Sequence, residues 1–342
     1  MTFDPPADAE PVATAPATAP DEDAMHAMSI ARDRADTGHG TWYRIATPVP
    51  MPGPGEVLVR VLAAGFGHWD VLERDGRLGA AALSTGPVIG GSEGAGSVVE
   101  VGPGVHRVRE GDRVCAIAPP GHRRNGFHAQ FALVSADLVW PVPVRLPLHQ
   151  AAALPVDGGL ALHAIDRALD LGRGQSLLIS GASGGIGHMA LQFARHRGAR
   201  VLAVASGADG VDLAERLGAD MAIDGRRHDV TAALRIFAPG GLDAALLTAD
   251  APSITGAALR ALRPGGRIAW PQGVLPPADR SDVAALAFGA REGMAQVRAA
   301  CRAIARGPFE VHVGARFPLQ RIDDAAHALA AHHLGRIVLE VL

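Results

Sequence analysis

The densest chemical signal in the chain is Gly181-Ala182-Ser183-Gly184-Gly185-Ile186-Gly187. It follows the apolar run SLLIS and opens a segment with helical spacing, HMALQFARH. Set against the pattern Gly-x-Gly-x-x-Gly, Ala182 stands at the first glycine, Gly184 at the second and Gly187 at the third. A glycine in the middle lets the backbone approach a pyrophosphate, and the third lets the helix pack on the preceding strand. The free N–H groups and positive end of the helix then face the phosphates. A dinucleotide site is the expectation, and the alternative is a tight strand–helix turn that holds nothing.

The end of the second strand selects the dinucleotide, because an NAD-type site puts a carboxylate there for the ribose 2′-hydroxyl. Here the strand closes on Ala205 and Ser206, with no acid to repel a 2′-phosphate. That leans to NADP (NADPH). No Lys or Arg follows at once, since Asp209 and Asp212 precede Arg216. A phosphate clamp must then come from Ser206, from loop amides, or from a basic residue elsewhere in the chain.

A second set of residues sits in Phe66-Gly67-His68-Trp69-Asp70. His68, expected in a loop facing the cleft, is the candidate catalytic residue: it can polarise a carbonyl or donate a proton. The plain alternative is a solvent-facing histidine. Phe66, Trp69 and Trp270 are candidate walls of an apolar substrate pocket, and Asp70 is expected to cap a helix. Gln272 and Gly273, just after the strand that ends near Pro271, are expected beside the nicotinamide. His332 and His333 fall at a predicted helix end, where surface placement and the helix dipole account for them.

The elements that must position these residues change texture along the chain. GEVLVRVLAAG, GAGSVVEVGPGV and GDRVCAIA read as short strands punctuated by glycine and proline, which predicts a barrel-like β domain. From residue 176 onward, strands at 176–181, 200–205, 220–224, 242–248 and 266–271 alternate with helices near 186–197, 209–217, 229–237 and 252–262. A sixth strand is predicted at 283–289. Regular βα alternation predicts a doubly wound parallel sheet, so the fold class is α/β. The expected division is a tail over 1–24, a β domain over 25–147 and 290–342, and a dinucleotide domain over 148–289.

Composition narrows the function classes. Of 342 residues 48% are hydrophobic, the net charge is −3, and Cys115 and Cys301 are the only cysteines. This points away from nucleic acid, from a disulfide scaffold and from multi-cysteine zinc modules, and it fits a reducing, cytoplasmic setting. The first 24 residues carry six acids, five prolines and no base, which predicts disorder rather than a signal peptide. Residues 175–194 lack formal charge over a bilayer-spanning length, but four glycines within seven positions argue for strand, turn and helix instead of a membrane span.

The motifs PGPGEVLVRVLAAG, GSEGAGSVVEVGPGV, GDRV, AAALPV, GASGGIG, LRPGGRI and GRIVLEV occur together and in this order. With them the chain resembles the medium-chain dehydrogenase/reductase superfamily, and within it the zinc-free quinone oxidoreductase (zeta-crystallin-like) branch. The resemblance implies a GroES-like β-barrel plus a Rossmann domain, NADPH in the cleft between them, and a homodimer paired through the Rossmann sheet edge. It also implies that Arg336 lies near the cofactor. Alcohol dehydrogenases of the superfamily place zinc ligands where this chain has Gly67 and Ser92, and zinc-free relatives place an asparagine at Gly67. No metal is therefore expected. The expected activity is NADPH-dependent hydride transfer to a quinone or an α,β-unsaturated carbonyl, with a small apolar carbonyl compound as substrate. The alternatives are a zinc-independent carbonyl reductase or alcohol dehydrogenase, and a non-catalytic NADP-binding regulatory protein.

Overall fold

The computed structural model describes residues 24–32, 40–77, 87–118 and 126–341. The tail expected over 1–24 lies outside the described residues except for Ala24, which begins the first strand. The barrel half contains β1 (Ala24–Arg32), β2 (Gly40–Pro48), β3 (Glu56–Phe66), α1 (His68–Arg74), β4 (Val88–Ile89), β5 (Glu93–Val101), β6 (Arg113–Ile117), β7 (Phe131–Ser135) and β8 (Val139–Pro141). Helices α2 (Leu148–Ala152) and α3 (Pro155–His163) lead out of it. The second half runs β9 (Ser176–Ser180), α4 (Gly185–His196), β10 (Arg200–Ala205), α5 (Ala208–Arg216), β11 (Met221–Asp224), α6 (Val230–Phe237) and β12 (Leu242–Leu247). It continues through α7 (Pro252–Ala261), β13 (Leu262–Pro271), β14 (Ala284–Phe288) and α8 (Ala290–Arg306). The chain closes with β15 (Val313–Pro318), α9 (Ile322–Ala330) and β16 (Arg336–Glu340).

The six strands of the second half pair in parallel in the order β11-β10-β9-β12-β13-β14. This is the doubly wound order, with its reversal between β9 and β12, and ligands bind beyond the carboxyl ends of strands at such a switch point. β9 is buried along its whole length, as a central parallel strand covered on both faces must be. The barrel sheet runs β15-β16-β3-β5-β6-β8, with β7 on β3, so β15 and β16 rejoin it from the far end of the chain. β16 pairs antiparallel with β3, Ile337 opposite Phe66.

Two boundaries differ from the sequence expectation. His68 opens α1 rather than lying in a loop, because Asp70 Oδ2 accepts the Gly67 N–H (2.9 Å) and starts the helix there. β13 begins at Leu262, ahead of the strand expected over 266–271, with Gly265 at φ 76° carrying the chain through an irregular register. Helix α8 packs with α3 in one apolar cluster containing Leu160, Val297, Ala300 and Ile304, a cluster that also takes in Ala95 and Cys115 of the barrel strands.

Two polar side chains buried on α4 dock that returning chain. Gln192 gives its amide to Glu310 O (2.9 Å) and accepts from Glu310 N (2.8 Å). His188 Nε2 accepts from His312 N (3.1 Å), while its Nδ1 bonds Gly184 O (2.9 Å). Nδ1 is thus the protonated nitrogen, and burial lowers the pKa of this imidazole.

Gly187 is where α4 comes closest to the preceding strand, since a β-carbon there would overlap Gly181 O and lie 2.9 Å from Ala182 Cα. Helix propensity alone would favour alanine by about 1 kcal/mol. The steric term has the opposite sign and should prevail: Gly187→Ala is expected to lower stability by about 1–3 kcal/mol. Urea unfolding measures this, and an unchanged or raised midpoint would contradict the packing.

Candidate functional site

The glycine cluster joins β9 to α4. Gly181 takes φ 78°, and Thr248 from the end of β12 donates its hydroxyl to Ser180 O (2.7 Å), bracing the turn at the switch point. A β-carbon on Gly184 would meet Gly181 O at 3.4 Å and otherwise open space. No side chain caps the start of α4. A backbone cradle open above Gly184, beneath an uncapped helix N-terminus at the switch point, fits the pyrophosphate of a dinucleotide. Gly181, Ala182, Ser183, Gly184, Gly185, Ile186 and Gly187 are thus brought together as one surface. Gln272 and Gly273 are exposed at the carboxyl end of β13, on the same rim of the sheet.

The segment between α9 and β16 crosses this rim. Gly335 N donates to Ser183 O (2.7 Å), and Gly335 forms a parallel bridge with Gly184. One residue further on, Arg336 turns inward and is 7% exposed. Its Nη2 binds Glu93 Oε1, and its Nη1 lies 3.4 Å from Asp157 Oδ1. Glu93 is fully buried and also accepts the Val156 N–H (2.7 Å). The Arg336 Nε and Asp157 Oδ2 are buried with no partner among the described residues, and a β-carbon on Gly185 would overlap that Oδ2. One cation, two carboxylates and the start of the phosphate helix therefore meet in a single buried cluster.

This cluster decides what Gly67 is for. A β-carbon at residue 67 would overlap the Arg336 guanidinium, which Glu93 and Asp157 hold in place. Nearby, Asp70 takes the Gly67 and Ser92 N–H groups and lies 3.7 Å from His128 Nε2. Burial raises the pKa of Glu93 from 4.5 to about 7, with Arg336 opposing the shift and Asp157 adding to it. Asp157 and Glu93 in turn hold the guanidinium protonated against its own burial.

The expected pocket walls separate. Phe66 is wholly buried in the barrel core, 5.8 Å from the Trp42 ring and 6.0 Å from that of His128, so it faces away from the cleft. Strand alternation explains it: β3 turns Gly65 toward Glu93 and therefore Phe66 to the opposite face. Trp270 packs with the cluster under α6 and α7, on the far face of the Rossmann sheet. Trp69 stays partly exposed on α1 beside the cluster that joins the two halves. His68 is exposed at the start of α1, and partial desolvation, then His333 and Arg336, lower its pKa. Ser206 lies at the end of β10 as expected, but its Oγ is 3.2 Å from His332 Nδ1, a neighbour 126 residues away. His332, Asp157, His188 and Gln192 were missed as site residues. For the last two the available signal was a polar residue on an otherwise apolar helix face.

The Zinc-binding dehydrogenase family matches residues 185–290 and the Alcohol dehydrogenase GroES-like domain matches residues 53–144. An alcohol dehydrogenase of Rhizobium meliloti (strain 1021) is 34% identical over 245 residues, which cover 65% of this chain and 71% of that protein. The chain belongs to the medium-chain dehydrogenase/reductase superfamily. A chloroplast envelope quinone oxidoreductase homolog of Arabidopsis thaliana is 28% identical over 332 residues, 92% of this chain and 98% of that one. The structure of an NAD-dependent alcohol dehydrogenase superposes with a TM-score of 0.82 at 26% identity, covering 93% of this chain and all of that one. Mycobacterial Rv1454c complexed with NADPH superposes with a TM-score of 0.77 at 27% identity, covering 92% and 99%. This superfamily member is an oxidoreductase of a family that binds nicotinamide cofactors.

Two outcomes follow from this geometry. Gly184 has φ −81°, which any residue tolerates, and its side-chain direction is open. Gly184→Val should leave the unfolding midpoint unchanged and abolish dinucleotide binding in a fluorescence titration; retained affinity would show that the cradle holds no phosphate. For Glu93, the folded pKa lies above the unfolded one, so its ionisation destabilises the fold as pH rises from about 4.5 through about 7. Relative to Glu93→Gln, the wild-type melting temperature should fall across that window. A constant difference between the two proteins would show that Glu93 titrates normally.

Proposed function

We propose that the chain is an NADPH-dependent oxidoreductase that delivers hydride to a quinone or to the C=C bond of an α,β-unsaturated carbonyl compound, without zinc. The observation that carries this reading is the Arg336 guanidinium over Gly67. Gly67 has no donor atom, and the volume a ligand side chain would need is already filled by a cation. Among the described residues no three His, Cys, Asp or Glu groups converge on a possible metal position. A site without an electrophilic metal suits acceptors that spread the incoming charge themselves, as quinones and enones do. The cofactor supplies the hydride chemistry, and the chain aligns the acceptor and limits water.

The lean to NADPH rests on the missing acid at the end of β10 and on the NADPH complex of the mycobacterial relative. A homodimer is supported by β14, which forms the edge of the Rossmann sheet and leaves Ala284, Ala285, Leu286 and Ala287 exposed. Such an uncapped apolar edge pairs readily with a second copy. No helix among the described residues is long and apolar enough to cross a membrane. The scarcity of cysteine, Cys115 and Cys301 alone in the sequence, supports a reducing, cytoplasmic setting.

The second reading is direct carbonyl reduction, favoured by the alcohol dehydrogenase relatives and dependent on His68 as proton donor. Desolvation, then His333 and Arg336, disfavour the protonated imidazole, the form in which His68 would donate. Turnover of a panel of quinones, enones and aldehydes with NADPH tests the proposal. His68→Ala should lower kcat on the preferred substrate by about tenfold or less, because water can protonate an enolate or hydroquinone anion. A loss on the order of 10²-fold with unchanged NADPH affinity would select the carbonyl reductase instead.

A further inference from the structure

We propose that His332, with Ser206, is the chain's recognition group for the 2′-phosphate of NADPH, and that Asp209 opposes it. The inference rests on the NADPH reading above and adds the residues that make the choice. β10 ends in Ala205 and Ser206, and neither carries charge. No cation follows on the same loop before Arg216, at the far end of α5. The missing base comes from the other end of the chain. His332 Nδ1 lies 3.2 Å from Ser206 Oγ, and its Nε2 lies 2.9 and 3.0 Å from the two oxygens of Asp209.

The placement of His332 is built rather than incidental. Gly335, three residues on, is fastened to the phosphate loop through Ser183 O and takes φ 57°. Three residues of chain reach at most about 10 Å, so fixing Gly335 confines His332 to the neighbouring end of the groove. Gly207 is shaped to the pair: it takes φ 78°, and a β-carbon there would come within 2.6 Å of Asp209 Oδ1 and 3.3 Å of His332 Nε2. The hydrogen bond from His332 is the main reason the Asp209 carboxyl is held below its ordinary pKa. At 32% and 56% side-chain exposure, both members remain open to an incoming ligand.

The charge logic then discriminates two ligands. A phosphate monoester brings close to two negative charges and accepts strong bonds from an imidazolium and a hydroxyl. It can take over His332 Nε2 from Asp209, at the cost of bringing its charge near that carboxylate. A plain ribose diol offers hydroxyl donors, which Asp209 can accept while still paired. His332 therefore favours the phosphorylated cofactor, and Asp209 narrows the margin.

The test is a titration that needs no turnover. Dissociation constants are measured for NADPH, NADH, adenosine 2′,5′-bisphosphate and 5′-AMP with wild type, His332→Ala, His332→Arg and Asp209→Asn. His332→Ala should weaken NADPH and the bisphosphate about tenfold or more, and should change NADH and 5′-AMP by less than about twofold. His332→Arg should restore the phosphorylated ligands, and Asp209→Asn should tighten them. An equal effect of His332→Ala on phosphorylated and unphosphorylated ligands, or none on either, would overturn the assignment. If wild type shows this discrimination but reduces no quinone or enone, the acceptor reading fails and the phosphate site stands. If wild type binds NADPH no more tightly than NADH while His332→Ala still weakens only the phosphorylated ligands, the cofactor preference fails but the subsite stands.

Discussion

The constraint on which the cleft depends is the attachment of the returning C-terminal chain to helix α4. His188 and Gln192 are buried on that helix and satisfy the backbone of residues 310 and 312 with three hydrogen bonds. Arg336 N then bonds His312 O, and Gly335 N bonds Ser183 O. Each such bond contributes only about 0.5–1.5 kcal/mol net, but leaving a buried donor or acceptor unpaired costs about 1–3 kcal/mol. The register of the return is thereby fixed to one solution. From it follow the positions of His332 and Gly335 beside the glycine cluster and of Arg336 in the buried ion cluster.

The buried ion cluster works on the same seam. Arg336 comes from β16, Glu93 from β5 and Asp157 from α3, so the charges join the barrel to the helix that leads into the Rossmann half. A buried ion pair is weak evidence for net stability, because desolvation offsets much of the attraction. Its clearer effect is on specificity of placement. Burial, opposed by Arg336 and reinforced by Asp157, raises the pKa of Glu93 to about 7. The unpartnered Arg336 Nε and Asp157 Oδ2 lie beside the first residue of the phosphate helix. Gly67 is thus the residue that accommodates the guanidinium.

Much of the scaffold was legible in the sequence because its signals are local. The strand–glycine–helix pattern at 176–196, the strict βα alternation to residue 271 and the strand at 284–288 depend on periodicity and backbone sterics within a few residues. Gly184 and Gly187 could be assigned separate duties from their spacing alone, and the structure gives them different surroundings, open space for one and contact for the other. Asp70 was readable as a cap because a cap acts three residues away.

What the sequence by itself determined, then, is the class of cofactor cradle and the two-part scaffold that carries it. The tertiary structure alone decided which side chains surround that cradle. Phe66 and Trp270 looked like pocket walls, but the facing of β3 and β13 sends Phe66 into the barrel core and leaves Trp270 partly buried against the cluster on the far face of the Rossmann sheet. His332 looked like a helix-end surface residue, yet it meets Ser206 from 126 positions away. Gly67 looked like an emptied position, yet Arg336, 269 residues later, fills it. The physical reason is the same in each case: these contacts depend on strand facing and on where a distant segment is pinned, and neither is written in local spacing.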